Sequence, residues 1–223
     1  HCGPSTAGEY LHSLDMVDVK TRWVELAALR NRSQATVLTA LIDCQIRLPY
    51  PLRGLDSDNG SEFINYDLKH FCEQEQITFT RCRPYQKNDQ AYVEQKNWTA
   101  VRQLVGYERY EGDRACTALQ ALYHVVRLYL NFFQPVMVLV DKQRLGARVK
   151  KRYDVPKTPY QRVLEAPEID AAIKVRLRQL YDTLNPAELL RQIQRRQAAL
   201  WQLACTPARP AVPGGTQVPP TPP

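Results

Sequence analysis

The sequence predicts an α/β protein in which a mixed sheet is flanked by helices and followed by a basic arm and a helical hairpin. Three observations predict it. Before Pro135, period-two and period-3.6 segments follow the order β-β-α-β-α-β-loop-α-α, a list that packs naturally as helices against a sheet. The apolar fraction of 44% is sufficient for a buried core in a chain of 223 residues. After Pro135 the composition changes to a cation-rich stretch and then to an amphipathic helix.

The elements can be justified in order. Residues 9–18, EYLHSLDMVD, alternate imperfectly between apolar and polar, and 22–28, RWVELAA, come after a short turn, which reads as an antiparallel hairpin. Residues 33–48 place apolar side chains at 37, 38, 41, 42 and 46, a helical spacing, with Ser33 as N-cap and Pro49 and Pro51 as terminators. A short strand near 52–56 comes next. Residues 62–75 put Phe63, Tyr66, Leu68 and Phe71 on one helical stripe, and ITFT at 77–80 is a strand. Residues 81–90 form a polar, basic loop, helices are expected over 91–108 and 114–132, and VMVLV at 136–140 reads as a small strand. Residues 168–204 form a helical hairpin broken at Asn185-Pro186, whose second arm is strongly amphipathic. Its apolar residues Leu189, Leu190, Ile193, Leu200 and Trp201 suit either an oligomer contact or a cover for the core. Seven of the sixteen prolines lie in 207–223, so the tail is expected to be disordered. The division is a core over 1–133, a basic arm over 134–166, the helical hairpin over 167–205 and the tail over 206–223.

Composition also excludes some classes. No run of about 18 uncharged apolar residues occurs, so no membrane span is expected, and the chain starts without a signal-peptide pattern. The six cysteines form no CxxC pair and the four histidines are scattered, so neither a zinc knuckle nor a disulfide framework is legible. Scattered thiols fit a reducing cytoplasm. The net charge is +7, and 142–162 alone carry eight cations against one anion, Asp154. A surplus concentrated in this way points to a polyanionic partner.

The motif LDSDNGSEF, at 55–63, sets two aspartates beside an Asn-Gly turn. Asn tolerates a left-handed backbone and Gly prefers it, so on its own the stretch is a turn with a solvated rim. A distant glutamate changes that reading. Glu94, in AYVEQKN, lies one turn into a helix, with 35 residues between it and Asp58. In the predicted fold Asp58 ends a strand and Glu94 faces back from a later helix, so the two can meet at one sheet edge. Carboxylates at one site repel unless a cation lies between them, and oxygen-only ligands suit Mg²⁺ or Mn²⁺.

DSDNGSEF, the 35-residue gap and AYVEQKN together resemble the integrase core of retroviral integrases and bacterial insertion-sequence transposases. VDVKTRWVE and KTPYQRVL look most like the integrase-type transposases of bacteria, and the resemblance covers about 1–165. It implies a ribonuclease-H-like fold and a triad of two Asp and one Glu holding two Mg²⁺ (or Mn²⁺) ions. By position, Asp58 is similar to the second Asp of the triad and Glu94 to its Glu, while Asp56 is a rim residue. Asn59 and Gly60 would shape the turn that aims Asp58. Lys87 and Asn88 lie where the family has its active-site loop, and Lys96 and Asn97 lie on the DNA-facing side of the Glu helix. The family's first Asp lies on a strand before the hairpin, and residues 1–8 resemble the loop after that strand. That Asp is therefore expected upstream of His1. Asp15 and Asp18 come too late and read as structural.

The resemblance implies a DNA transposase of the bacterial cytoplasm, nucleoid-associated, acting on double-stranded transposon ends and target DNA as a homo-oligomer. The rivals are a decayed or domesticated transposase that binds DNA without catalysis, and a metal-dependent nuclease without strand transfer. Arg144, Arg148, Lys150, Lys151 and Arg152 of the arm are expected on DNA. For Arg102 and Arg109, assigned to the Glu94 helix, phosphate contact and simple solvation fit equally. Trp23 and Trp98 read as core residues, and His70 and His124 lack metal-ligand spacing.

Overall fold

A computed structural model of the chain describes residues 1–58, 60, 62–63, 66–82, 101–146 and 148–205, with the side chains of Leu145 and Arg148 excepted. β1 (His12–Val17) pairs antiparallel with β2 (Val24–Leu29), Leu14 opposite Ala27 and Val17 opposite Val24. The turn between them is held by Asp18, whose carboxylate accepts from Lys20 N–H at 2.9 Å and from Thr21 and Tyr50 hydroxyls, each at 2.7 Å. Asp18 is thus structural. α1 (Gln34–Arg47) begins where Ser33 accepts from Thr36 N–H at 3.2 Å. Its buried stripe is Val37, Ala40, Leu41 and Cys44, while Ile46 is 75% exposed. Val37 and Leu41 lie on the expected face, and the stripe runs on through Ala40 and Cys44 rather than to Ile46.

β3 (Gly54–Ser57) and β4 (Thr78–Arg81) form a parallel pair joined through α2 (Tyr66–Gln74), with Asp56 opposite Thr80. Leu68 and Cys72 turn inward from α2, whereas Tyr66 is exposed and stacks on His70. A helical turn at 103–105 ends at Gly106, whose φ of 81° a side chain would strain. α3 (Gly112–Phe132) is the long central helix.

β2 is covered on both faces, which accounts for its nearly unbroken apolar run. Val24 and Leu26 join a cluster with Leu119, Leu122, Tyr123 and Val126 of α3. Ala27 and Leu29 join Val37, Leu41 and Cys44 of α1, and the partly buried Leu55 and Phe79 bring β3 and β4 to the same cluster. The outer edge of β2 is closed by side chains. Asn131 accepts from Val24 N–H and donates to Val24 C=O, both at 2.8 Å. Gln120 accepts from Ala28 N–H at 2.8 Å, and Arg47 donates to Leu26 C=O at 3.0 Å. A strand edge capped in this way cannot template another strand.

Glu25, on β2, is fully buried and charged. Its Oε1 accepts from Trp23 Nε1 at 3.0 Å and Arg127 Nη2 at 2.9 Å. Its Oε2 accepts from Arg127 Nε at 2.6 Å and Arg47 Nε at 3.1 Å. One carboxylate thereby ties β2 to α1 and α3. Trp23 is core, as expected, in a cluster with Phe132, Tyr160, Val163 and Leu177.

Beyond α3, β5 (Leu139–Leu145) and β6 (Arg148–Tyr153) form an antiparallel hairpin. α4 (Pro159–Glu165) opens with a capping box between Thr158 and Gln161. α5 (Ala171–Thr183) and α6 (Pro186–Trp201) start at the caps Asp170 and Asn185. Leu189, Ile193 and Leu200 of α6 bury against α3, so this face covers the core of its own chain. Leu190 and Trp201, 41% and 50% exposed, lie off that face rather than on one stripe with it. None of the six cysteines, all of them among the described residues, is in a disulfide. Among the described residues no helix is long and apolar enough to cross a membrane.

Candidate active site

Asp58 comes directly after β3, at the C-terminal end of the parallel β3–β4 pair, where loops leave a sheet and reactive groups concentrate. The ladder carries on past β4, because Cys82 N–H donates to Ser57 C=O at 2.9 Å, and Ser57 is buried. The backbone entering the motif is therefore fixed, while the Asp58 side chain is exposed. Its Oδ1 accepts from Gly60 N–H at 2.9 Å, an Asx turn that orients the carboxylate. Phe63 N–H donates to Gly60 C=O at 3.0 Å and closes the next turn.

Asp56 is differently engaged. Its Oδ1 accepts from Thr80 Oγ1 at 2.7 Å and its Oδ2 from Cys82 Sγ at 3.2 Å. Both oxygens are spent on β4 and the residues after it, which suits the rim role read from the sequence.

Gly60 is needed for space rather than for backbone sign. Its φ lies outside the left-handed region, contrary to the Asn-Gly expectation. A Cβ built there would stand 2.7 Å from Glu62 Oε2 and 2.9 Å from Asp58 Oδ1. Both carboxylate ends therefore lie close to the glycine. Glu62 is the acid that sequence reasoning passed over. Arg32 lies 3.8 Å from its Oε1, and its side chain is 17% exposed. The signal available was the glycine two residues before it.

Of the other expected site residues, Asn59, Lys87, Asn88, Glu94, Lys96 and Asn97 lie outside the described residues, as does Trp98. Arg102 is exposed, with its guanidinium 5.4 Å from the ring centroid of Tyr107. Arg109 is not on a helix with Glu94, since Gly106 ends the helical turn before it. Its guanidinium instead donates to the carbonyls of Cys2, Ser5, Ala7 and Glu9 at 2.7–3.2 Å. It clamps the opening segment and is not available to phosphate. Among the described residues no three His, Cys, Asp or Glu side chains gather as a metal cluster.

On the arm, Arg144, Lys150, Lys151 and Arg152 are exposed, as is Lys142. Arg148 sits opposite Leu145 in the ladder.

Known proteins are similar to the chain over part of its length. Residues 1–87 match the family model of the integrase core domain, which takes in β1 to β4 and the Asp58 turn. The likeness drawn from the motifs is thus found independently over that stretch. The uncharacterized protein y4rM of Sinorhizobium fredii is 45% identical over 162 residues, 73% of this chain and 46% of that protein. The match therefore spans less than half of that relative's length. Among solved structures, the catalytic core domain of BIV integrase is similar with a TM-score of 0.47 and 23% identity, over 69% of this chain and 85% of that one. The HTLV-2 integrase catalytic core domain, in complex with magnesium in a dimeric form, has a TM-score of 0.42 and 17% identity over 57% and 78% of the two chains.

Proposed function

We propose that the chain is the core of an integrase-type DNA transposase with a ribonuclease-H-like fold, a polynucleotidyl transferase. It would cleave a phosphodiester at a transposon end and join the freed 3′-hydroxyl to target DNA. The observation that carries the reading is Asp58: an exposed carboxylate at the C-terminal end of a parallel strand pair, inside the stretch that matches the integrase core domain.

The donors at this turn are carboxylate oxygens, the hard ligands that Mg²⁺ takes, so their chemistry fits the expected divalent ions. Asp58, its carboxylate oriented by Gly60 N–H, and Glu94 would hold the metal. Bound ions of this kind activate an attacking oxygen and stabilise the leaving one. Lys87, Asn88, Lys96, Asn97 and Arg102 would hold the DNA strand, with the arm over 134–166 gripping the duplex beyond it. The same reading brings with it a homo-oligomer on the transposon ends.

The first Asp would come from a further strand joined to β1. Sheet edges support this. β2's outer edge is capped by Asn131, Gln120 and Arg47, and among the described residues no strand pairs with the outer edge of β1. β1–β2 and β3–β4 cover one cluster with α1 yet are separate ladders. A strand between them would unite the sheet and end beside Asp58.

The test is Asp58→Asn in the full-length protein, assayed with Mg²⁺ and a duplex carrying the element's end. Cleavage and strand transfer should both vanish, because members of such a unit act non-additively. The thermal midpoint should stay within about 2 °C, as expected of an exposed substitution. Cleavage retained by the variant would overturn the assignment. Nicks without joined product from the unaltered protein would leave a nuclease, and binding without either would leave a non-catalytic DNA-binding protein.

A further inference from the structure

We infer that the β5–β6 hairpin is a ribbon that enters the major groove of duplex DNA edge-on, with cations on both of its faces reaching the two phosphate walls. The inference rests on the proposed DNA-joining function but specifies how the arm engages its duplex.

Register assigns the faces, because directly opposed residues of an antiparallel pair share one face and neighbours along a strand alternate. Lys142 pairs with Lys151 and Arg144 with Val149, which puts three cations on one face. Gln143 pairs with Lys150 and Asp141 with Arg152, which puts two more on the other. Asp141 is the one described anion there, and its carboxylate accepts from Gln143 Nε2 at 3.0 Å. Among the described residues, none of Lys142, Lys150, Lys151 and Arg152 forms an ion pair, and all are exposed.

A ribbon whose two faces are both solvated has no core to hold it, and a lone hairpin is marginal in water. This one is held at its base. Val136 and Lys157 exchange backbone hydrogen bonds of 2.9 and 3.2 Å. Asp154 Oδ1 accepts from Val138 N–H at 2.6 Å and its Oδ2 from Arg162 at 2.7 Å, while Arg162 also donates to Val136 C=O at 2.9 Å. α4 anchors Arg162 to the body of the protein, since Tyr160 and Val163 are buried beside Phe132. The hairpin is therefore a projecting arm with a fixed root.

Charge distribution decides how it docks. A ribbon that lay flat on a polyanion would need cations on one face only, and the second set would point to solvent. A groove offers phosphates on both sides. The major groove, about 12 Å wide, admits a two-stranded ribbon, while the minor groove, about 6 Å wide, is too narrow for one standing on edge, about 10 Å thick with side chains on both faces. Seven residues of β5 extend roughly 23 Å, long enough to track the groove past several base pairs. Val149 and Tyr153, both 47% exposed and on the face of Lys151, are the apolar groups on hand for the sugars of that wall.

The experiment uses the whole chain and a mixed-sequence duplex of 40 base pairs, and it reads affinity against salt. One variant carries Lys142→Gln, Arg144→Gln and Lys151→Gln; the other carries Lys150→Gln and Arg152→Gln. For every phosphate left without its cation, the affinity drop over a fourfold rise in salt should shrink by about 3.5-fold, from a slope of about 0.9 per neutralised phosphate. Both variants should show the reduction, and dimethyl sulfate footprinting should show guanine N7 protected by the unaltered chain. A reduction in one variant alone would mean a ribbon lying flat, and unchanged slopes, or protection confined to adenine N3 in the minor groove, would equally overturn the inference. All five positions are exposed, so circular dichroism and the thermal midpoint should not change. Cleavage plays no part in these readouts, so loss of the transposase reading and loss of this one are separable.

Discussion

Replacing Glu25 by Gln removes one charge and almost no volume, and its effect on stability can be worked from the structure. The carboxylate accepts four hydrogen bonds from Trp23, Arg47 and Arg127 and is fully buried. The two arginine side chains are themselves 18% and 15% exposed. An amide offers one accepting oxygen and turns its NH₂ toward arginine N–H groups, so at least one donor faces another donor. Breaking a buried ion pair by neutralising one partner leaves uncompensated charge and costs about 3–5 kcal/mol. At about 2–4 °C per kcal/mol for a chain of this size, the thermal midpoint should fall by about 6–20 °C. Urea titration with linear extrapolation provides the check. Glu188→Gln is the control, because the ion pairs of Glu188 with Arg191 and Arg195 are at the surface and should leave the thermal midpoint nearly unchanged. A loss below about 1 kcal/mol for Glu25→Gln would refute the claim that this carboxylate locks β2 to both helices.

The same structure sets two further outcomes. Gly60→Ala should push aside the Asp58 and Glu62 side-chain ends, costing at most about 1 kcal/mol of stability but, on the proposed function, at least about tenfold in Mg²⁺-dependent cleavage, since the proposed ligand Asp58 would be misaimed; full activity with ordinary Mg²⁺ demand would contradict the space argument. His12 has its pKa pushed down from 6.5 to about 4, first by burial and then by nearby positive charge including Arg32. Between those two values the unfolded chain takes up a proton that the folded chain refuses, so stability should fall as pH drops from 6.5 toward 4. With solvent screening allowed for, the loss is about 1–2 kcal/mol, and His12→Gln should remove it in urea titrations at pH 7.5 and 5.

The reach of the sequence reading matches the range of the interactions. Periodicity located the β1–β2 hairpin, α1 with its Ser33 cap, β3, β4 and α3 within a few residues, because these signals are local. It began β5 too early, at 136 rather than Leu139, and missed that the ribbon runs through the cations. Lys and Arg are poor strand formers, and it is pairing with β6 that holds them extended. Nothing in RWVELAA marks Glu25 as buried. Its partners, Arg47 and Arg127, lie 22 and 102 residues away, beyond any local pattern. Asn131 capping the edge of β2 from 107 residues away is equally unreadable. At the candidate site, the place of Asp58 at the end of a strand was legible from the order of the local elements. The purpose of Gly60 was not, because crowding by Glu62 is a three-dimensional fact.

The packing of α6 on α3 also sets a timetable for synthesis. Leu119 and Leu122 of α3 share their cluster with Leu189, Ile193 and Leu200, so the core cannot close until the last helix has been made. Trp201 comes after Phe132 by about 70 residues, an interval of about 4–14 s at about 5–20 residues per second. For those seconds a growing chain holds out one apolar side of its longest helix, with a cation-bearing ribbon already emerging behind it.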